Sequence, residues 1–146
     1  MVLTQDFREF IQSLNDSDVR FLIVGGYVVA FHGHPRYTKD LDIWIWVDQK
    51  NAKNIVKALE QFGFSSLELT AADFLEPNMV VQLGNPPNRI DLIMTLAGVE
   101  FGSCYDTRVE EEVEGVILPF IDIESLKKNK YASGRHQDLA DLENLQ

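Results

Sequence analysis

Apolar residues recur along this chain with two periods, and the switches between them mark its elements. Phe7, Phe10, Ile11 and Leu14 fall at i, i+3, i+4 and i+7, one buried face of a helix that Thr4 caps and Asn15-Asp16 ends. Arg20 to Val24 (RFLIV) reads as a short first strand closed by Gly25-Gly26. From Gly26 to His32 the chain is short, apolar and rich in valine, so its type stays open; Gly33 and Pro35 stop it. Asp40 to Val47 (DLDIWIWV) has the composition of a mostly buried second strand. Asp48 then caps the clearest helix, with Ala52, Ile55, Val56, Leu59 and Phe62 on one face and Gly63 as its stop.

The second half carries weaker periodicity. A helical turn is expected near Thr70 to Leu75, and Met79 to Leu83 and Arg89 to Thr95 read as strands around an Asn85-Pro86-Pro87-Asn88 hairpin loop. Thr107 to Val113 and Val116 to Phe120 read as two more strands around Glu114-Gly115. Asp122 caps a helix with Glu124 in its first turn and Lys127, Lys128 and Lys130 towards its end, an arrangement that suits the helix dipole. Gly134 breaks it, and Arg135 to Leu145 forms a last helix with Leu139, Leu142 and Leu145 turned inward. Together these elements predict an α/β (α+β) fold, a mixed β-sheet flanked by helices with two C-terminal helices, in a single domain over residues 1–146.

Composition narrows the class. At 146 residues and 45% hydrophobic content the chain can bury a real core. No apolar run approaches the roughly 20 residues of a membrane helix. The start, MVLTQDFREF, lacks the basic-then-apolar pattern of a secretion signal, and a single Cys104 cannot form an intrachain disulfide. Cytoplasm is the expected compartment. A net charge of −10 argues against broad nucleic-acid binding, which needs a basic surface. Glu110, Glu111, Glu112 and Glu114 read as a solvated strand edge or turn.

The chemistry concentrates in one stretch. Side chains i and i+2 of a strand share a face, so Asp40 and Asp42 emerge side by side from an apolar run. Two carboxylates so close in a partly dry place resist full ionisation, and a divalent cation between them is the economical reason to keep both. In the strand Arg89 to Thr95, Asp91 shares a face with Arg89, Ile93 and Thr95. If that strand lies beside Asp40–Val47, three carboxylates converge. Such an all-oxygen donor set suits Mg²⁺ or Mn²⁺.

A glycine pair (Val24-Gly25-Gly26), a spacer of thirteen residues and an apolar-flanked Asp40-Leu41-Asp42-Ile43, followed by Asp91, resembles the signature of the DNA polymerase β-like nucleotidyltransferase superfamily. Arg36-Tyr37-Thr38-Lys39-Asp40-Leu41-Asp42 and the tail YASGRHQDLADLENL are similar to its small single-domain bacterial members, including toxin–antitoxin and abortive-infection nucleotidyltransferases. The resemblance spans most of the chain. It implies a nucleotidyltransferase fold and two-metal transfer of a nucleoside monophosphate from an NTP, ATP by default, to an acceptor hydroxyl. Asp40 and Asp42 would hold both ions, roughly 4 Å apart in such sites, and Asp91 the catalytic one, with Asp91 helping to take the hydroxyl's proton. Gly25 and Gly26 would let main-chain N–H groups approach phosphate oxygens. Many relatives carry Ser at the second position, so in this chain the phosphate contact would rest on backbone.

Other residues carry two readings each. Arg36 and Lys39 are loop surface charges or phosphate contacts; Lys127, Lys128 and Lys130 are most simply solvated charges at a helix end, and the resemblance implies that one of them, Lys127 or Lys130 by spacing, would reach the triphosphate. Arg135 and Asp138 are spaced to pair. Trp44 and Trp46 share a face with Asp42, as core or as a base platform, and His32, His34 and His136 make no metal-ligand set. Acceptors consistent with the chemistry are a protein hydroxyl on a partner such as a toxin, an RNA 3′ end, which the acidity disfavours, or a small molecule such as an antibiotic. A partner or a homodimer would supply the substrate wall that larger relatives build from an extra helical domain. The alternative class is a catalytically inactive nucleotide- or partner-binding module of the antitoxin kind.

Overall fold

The computed structural model describes residues 4–32, 40–64, 67–84 and 89–145. Helix α1 (Gln5–Asp16) begins where Thr4 Oγ1 accepts from the Phe7 amide at 3.2 Å, and it buries Phe7, Phe10, Ile11 and Leu14, as their spacing predicts. Strand β1 (Phe21–Val24) leads through Gly25 into α2 (Gly26–Phe31), which settles the open segment as a short helix. Strand β2 (Asp40–Ile45) is followed by α3 (Gln49–Phe62), capped by Asp48 and ended by Gly63 in the left-handed conformation. A 3-10 turn spans Ala71–Phe74. Strands β3 (Val80–Leu83) and β4 (Arg89–Ile93) precede α4 (Phe101–Asp106), β5 (Val109–Val113) and β6 (Val116–Phe120). Helices α5 (Ile123–Ser133) and α6 (His136–Leu145) close the order.

The six strands among the described residues form one mixed sheet, in the order β3-β4-β2-β1-β6-β5. β2 runs antiparallel to β1 and parallel to β4; β1 runs parallel to β6. This is the expected α+β architecture. The central strands are apolar almost throughout, and α1 packs across α3 and β6 with Phe10 edge-on to Phe62 at 5.3 Å. Each fully buried Phe or Leu there contributes about 1.5–3 kcal/mol. The glutamates of β5 lie exposed on an edge strand, where like charges discourage pairing with another sheet. No helix among the described residues is long and apolar enough to cross a membrane.

Three expectations are corrected. Helix α4 has no strand or helix forecast over it: its Glu100 cap makes no side-chain bond, it contains Gly102, and only Phe101 and Cys104 are buried. Thr107 consequently ends α4 instead of opening a strand. In α6, Leu139 is 47% exposed, while Leu142 and Leu145 are buried as expected. The inward face of α6 is Asp138, Asp141, Leu142 and Leu145, an unbroken i, i+3, i+4, i+7 series in which two carboxylates take core positions.

Candidate active site

Parallel pairing of β2 with β4 sets Asp42 directly opposite Asp91 and Asp40 opposite Arg89. The period of two then brings Asp40, Asp42 and Asp91 to one sheet face. Farther along that face Trp44 is core: its Nε1 donates to the Met94 carbonyl at 3.3 Å and its ring meets Phe101 edge-on. Trp46 lies under the Arg20 guanidinium, 5.1 Å from its centroid. Neither ring lines the cavity at the carboxylates, so the base-platform role finds no support.

Gly25 explains itself in this geometry. It sits at φ 74°, ψ −148° as the N-cap of α2, and a Cβ there would overlap the Asp42 carboxylate. Only glycine allows both the turn and the approach. The Asp42 carboxyl is pushed up to about 7 by burial first, and then by the charges of Asp91 and Asp40, with Lys130 and Arg89 pulling the other way.

A cavity of about 230 Å³ opens here, with Gly25, Gly26, Asp40 and Asp42 on one side and Lys130, Arg135, Gln137 and Asp138 on the other. A larger cavity, about 550 Å³, lies at the opposite end of the β1–β2 ladder around Arg20, Trp46 and Tyr105, and it contains none of Asp40, Asp42, Asp91 or the glycine pair. Lys130 thus joins the site, whereas Lys127 turns to Glu124 at 3.6 Å on the surface of α5. Arg36, Lys39 and His34 lie outside the described residues.

Far from being a solvated lysine, Lys130 is 4% exposed, with Nζ 3.0 Å from Asp138 and 3.1 Å from Asp141. Arg135 adds a 2.7 Å bond to Asp138, the pairing its spacing predicts. Burial alone would raise the Asp138 carboxyl, but hydrogen bonds from Arg135, Ser133 and Lys130 outweigh it and hold the group well below the usual carboxylate range. Two signals were available in the sequence: the inward series through Asp138 and Asp141, and a lysine positioned on the preceding helix to meet it.

The donor set fits a hard divalent ion in kind, since three carboxylates supply only oxygen. Among the described residues, however, no three His, Cys, Asp or Glu side chains stand as a ready-made ion cage. Arg89 reaches both Asp40, at 2.7 Å, and Asp91, at 3.1 Å.

Two solved structures share this fold. A Thermotoga maritima protein assigned as a nucleotidyltransferase superposes with a TM-score of 0.63 at 16% identity, over 94% of this chain and 88% of that chain. An antigenic nucleotidyltransferase-like protein from Paracoccidioides brasiliensis gives 0.58 at 18% identity, over 98% and 77%. At such identities the likeness shows the fold alone, the nucleotidyltransferase fold. The family model for aminoglycoside-2''-adenylyltransferase matches residues 6–145, and the chain belongs to that family; it is a nucleotidyltransferase by family and by fold. No curated protein matches the chain.

Proposed function

We propose that this protein transfers AMP from ATP, with a divalent cation, to a hydroxyl of a small polycationic acceptor of the aminoglycoside class, the α–β phosphoanhydride bond breaking as pyrophosphate departs. The observation that carries this reading is the Asp42–Asp91 register, which with Asp40 gathers three carboxylates beside the Gly25-Gly26 turn. When bound, Mg²⁺ or Mn²⁺ supplies charge neutralisation at the phosphates and acidifies the attacking hydroxyl. Asp40, Asp42 and Asp91 would hold it, and Asp91 accepts the hydroxyl's proton at a carboxylate oxygen. Gly25 and Gly26 bring main-chain N–H groups against phosphate oxygens with no Cβ in the way. Arg135, with its side chain 77% exposed at the opposite wall, offers a cation to the same phosphates.

Two observations support the acceptor class: the family's name, and a net charge of −10, which attracts a polycation and repels nucleic acid. The test is incubation with α-labelled ATP, Mg²⁺ or Mn²⁺ and aminoglycosides bearing a 2''-hydroxyl. Label should move to the antibiotic with the wild type and not with Asp42→Asn. Absence of transfer from any NTP to aminoglycoside, protein or RNA acceptors would defeat the reading. One observation favours the second reading, an inactive binding module: Arg89 already bridges Asp40 and Asp91 without a metal. That reading expects Asp42→Asn to leave biological activity intact.

A further inference from the structure

The register that joins Asp42 to Asp91 also places Arg89, opposite Asp40 across the strands and on the same face as Asp91. Its Nη2 donates to Asp40 at 2.7 Å and to Asp91 Oδ2 at 3.1 Å, while its Nε donates to Asp91 Oδ1 at 3.1 Å. One guanidinium therefore grips Asp91 by both oxygens and reaches across to Asp40. A planar fork makes this pair of contacts; a lysine, a point charge on a flexible stem, cannot reproduce it. Asp42 faces Gly25.

Building on the nucleotidyl-transfer reading, we infer that Arg89 is the resident counter-cation of the metal-free site and must withdraw from Asp40 and Asp91 for a divalent ion to bind there. A metal ion alone then competes with a charge the chain itself supplies. The Arg89 side chain is 31% exposed, so its guanidinium can swing outward, and triphosphate oxygens are anions able to receive it. Metal and nucleotide are consequently accepted as a set, and metal without nucleotide is held back.

Mn²⁺ binding measured by electron paramagnetic resonance on the full chain tests this, using the wild type, Arg89→Gln and Arg89→Lys, with and without α,β-methylene-ATP. Arg89→Gln should bind Mn²⁺ alone about tenfold more tightly than the wild type, the scale of one charge-assisted pair. Arg89→Lys, which keeps the charge and loses the fork, should fall between and stands in if the glutamine variant folds poorly. With the analogue present the advantage should shrink, because in the wild type the displaced guanidinium meets phosphate and the variant has no such group to offer. A merely structural arginine would give the opposite sign, since its loss would loosen the carboxylates. Equal or weaker Mn²⁺ binding by both variants, with the wild type still binding, overturns the inference and leaves the transfer reading standing. No Mn²⁺ binding by any of the proteins, with or without the analogue, overturns both.

Discussion

Two ionic clusters face each other across one small cavity, and they are built to opposite plans. On the α5–α6 side Lys130 and Arg135 meet Asp138 and Asp141, two bases for two acids, with Lys130 and both aspartates almost wholly buried. On the β2–β4 side Asp40, Asp42 and Asp91 meet one guanidinium, so like charges remain without full compensation. A balanced buried cluster fixes geometry. An unbalanced one stores a demand for positive charge, and that demand is what a metal–nucleotide complex can meet. The contrast separates a balanced ionic frame from an unbalanced group of carboxylates even though both reach the same cavity.

The largest effect should come from the unbalanced side. Asp42→Asn or Asp91→Asn should lower label transfer from α-labelled ATP by at least about a thousandfold with the fold intact by circular dichroism. Retention of transfer would move the chemistry elsewhere. On the balanced side, Lys130→Met should remove the buried cation that Asp138 and Asp141 share and cost about 3–5 kcal/mol in urea unfolding. Adding Asp138→Asn and Asp141→Asn to it should recover most of that loss; no recovery would mean that the cluster matters through packing and not charge.

The clusters should also answer pH with opposite signs. Asp42 carries a raised carboxyl, so between the ordinary value of 3.8 and about 7 the native state holds a proton that the unfolded chain has released, and its contribution to stability falls as pH rises through that window. In chelator, Asp42→Asn should therefore melt a few degrees above wild type at pH 8 and no higher at pH 5. Asp138 is depressed, so its contribution is complete above about pH 4 and is lost as pH falls below it. A gain for Asp42→Asn at pH 5 equal to that at pH 8 would remove the titration from the account. The smallest effect belongs to the corrected face of α6. Leu139→Ala should change stability by less than about 0.5 kcal/mol, against about 2 kcal/mol or more for Leu142→Ala.

The β2–β4 side was the more legible in sequence, and the reason is periodicity. Alternation along β2 and β4 assigns each aspartate to a face from local spacing alone, and glycine before a helix announces a turn. What local spacing leaves open is which strand lies beside which: Arg89 became the partner of Asp40 only through the parallel register. The balanced side was harder because buried ion pairs look, residue by residue, like surface charge. Lys130 and Asp141 carry no apolar mark, and reading only leucines as inward turned α6 by one position. Helix α4 was missed for lack of any side-chain cap, with two buried residues too few to show a period.

The central claim, that the unbalanced carboxylates receive the nucleotide and its ion, is tested most directly by calorimetric titration of α,β-methylene-ATP with Mg²⁺ into wild type and Asp42→Asn. The account predicts saturable binding to the wild type, weakened at least about tenfold by the substitution. Equal binding by both proteins, or none by the wild type, would contradict it.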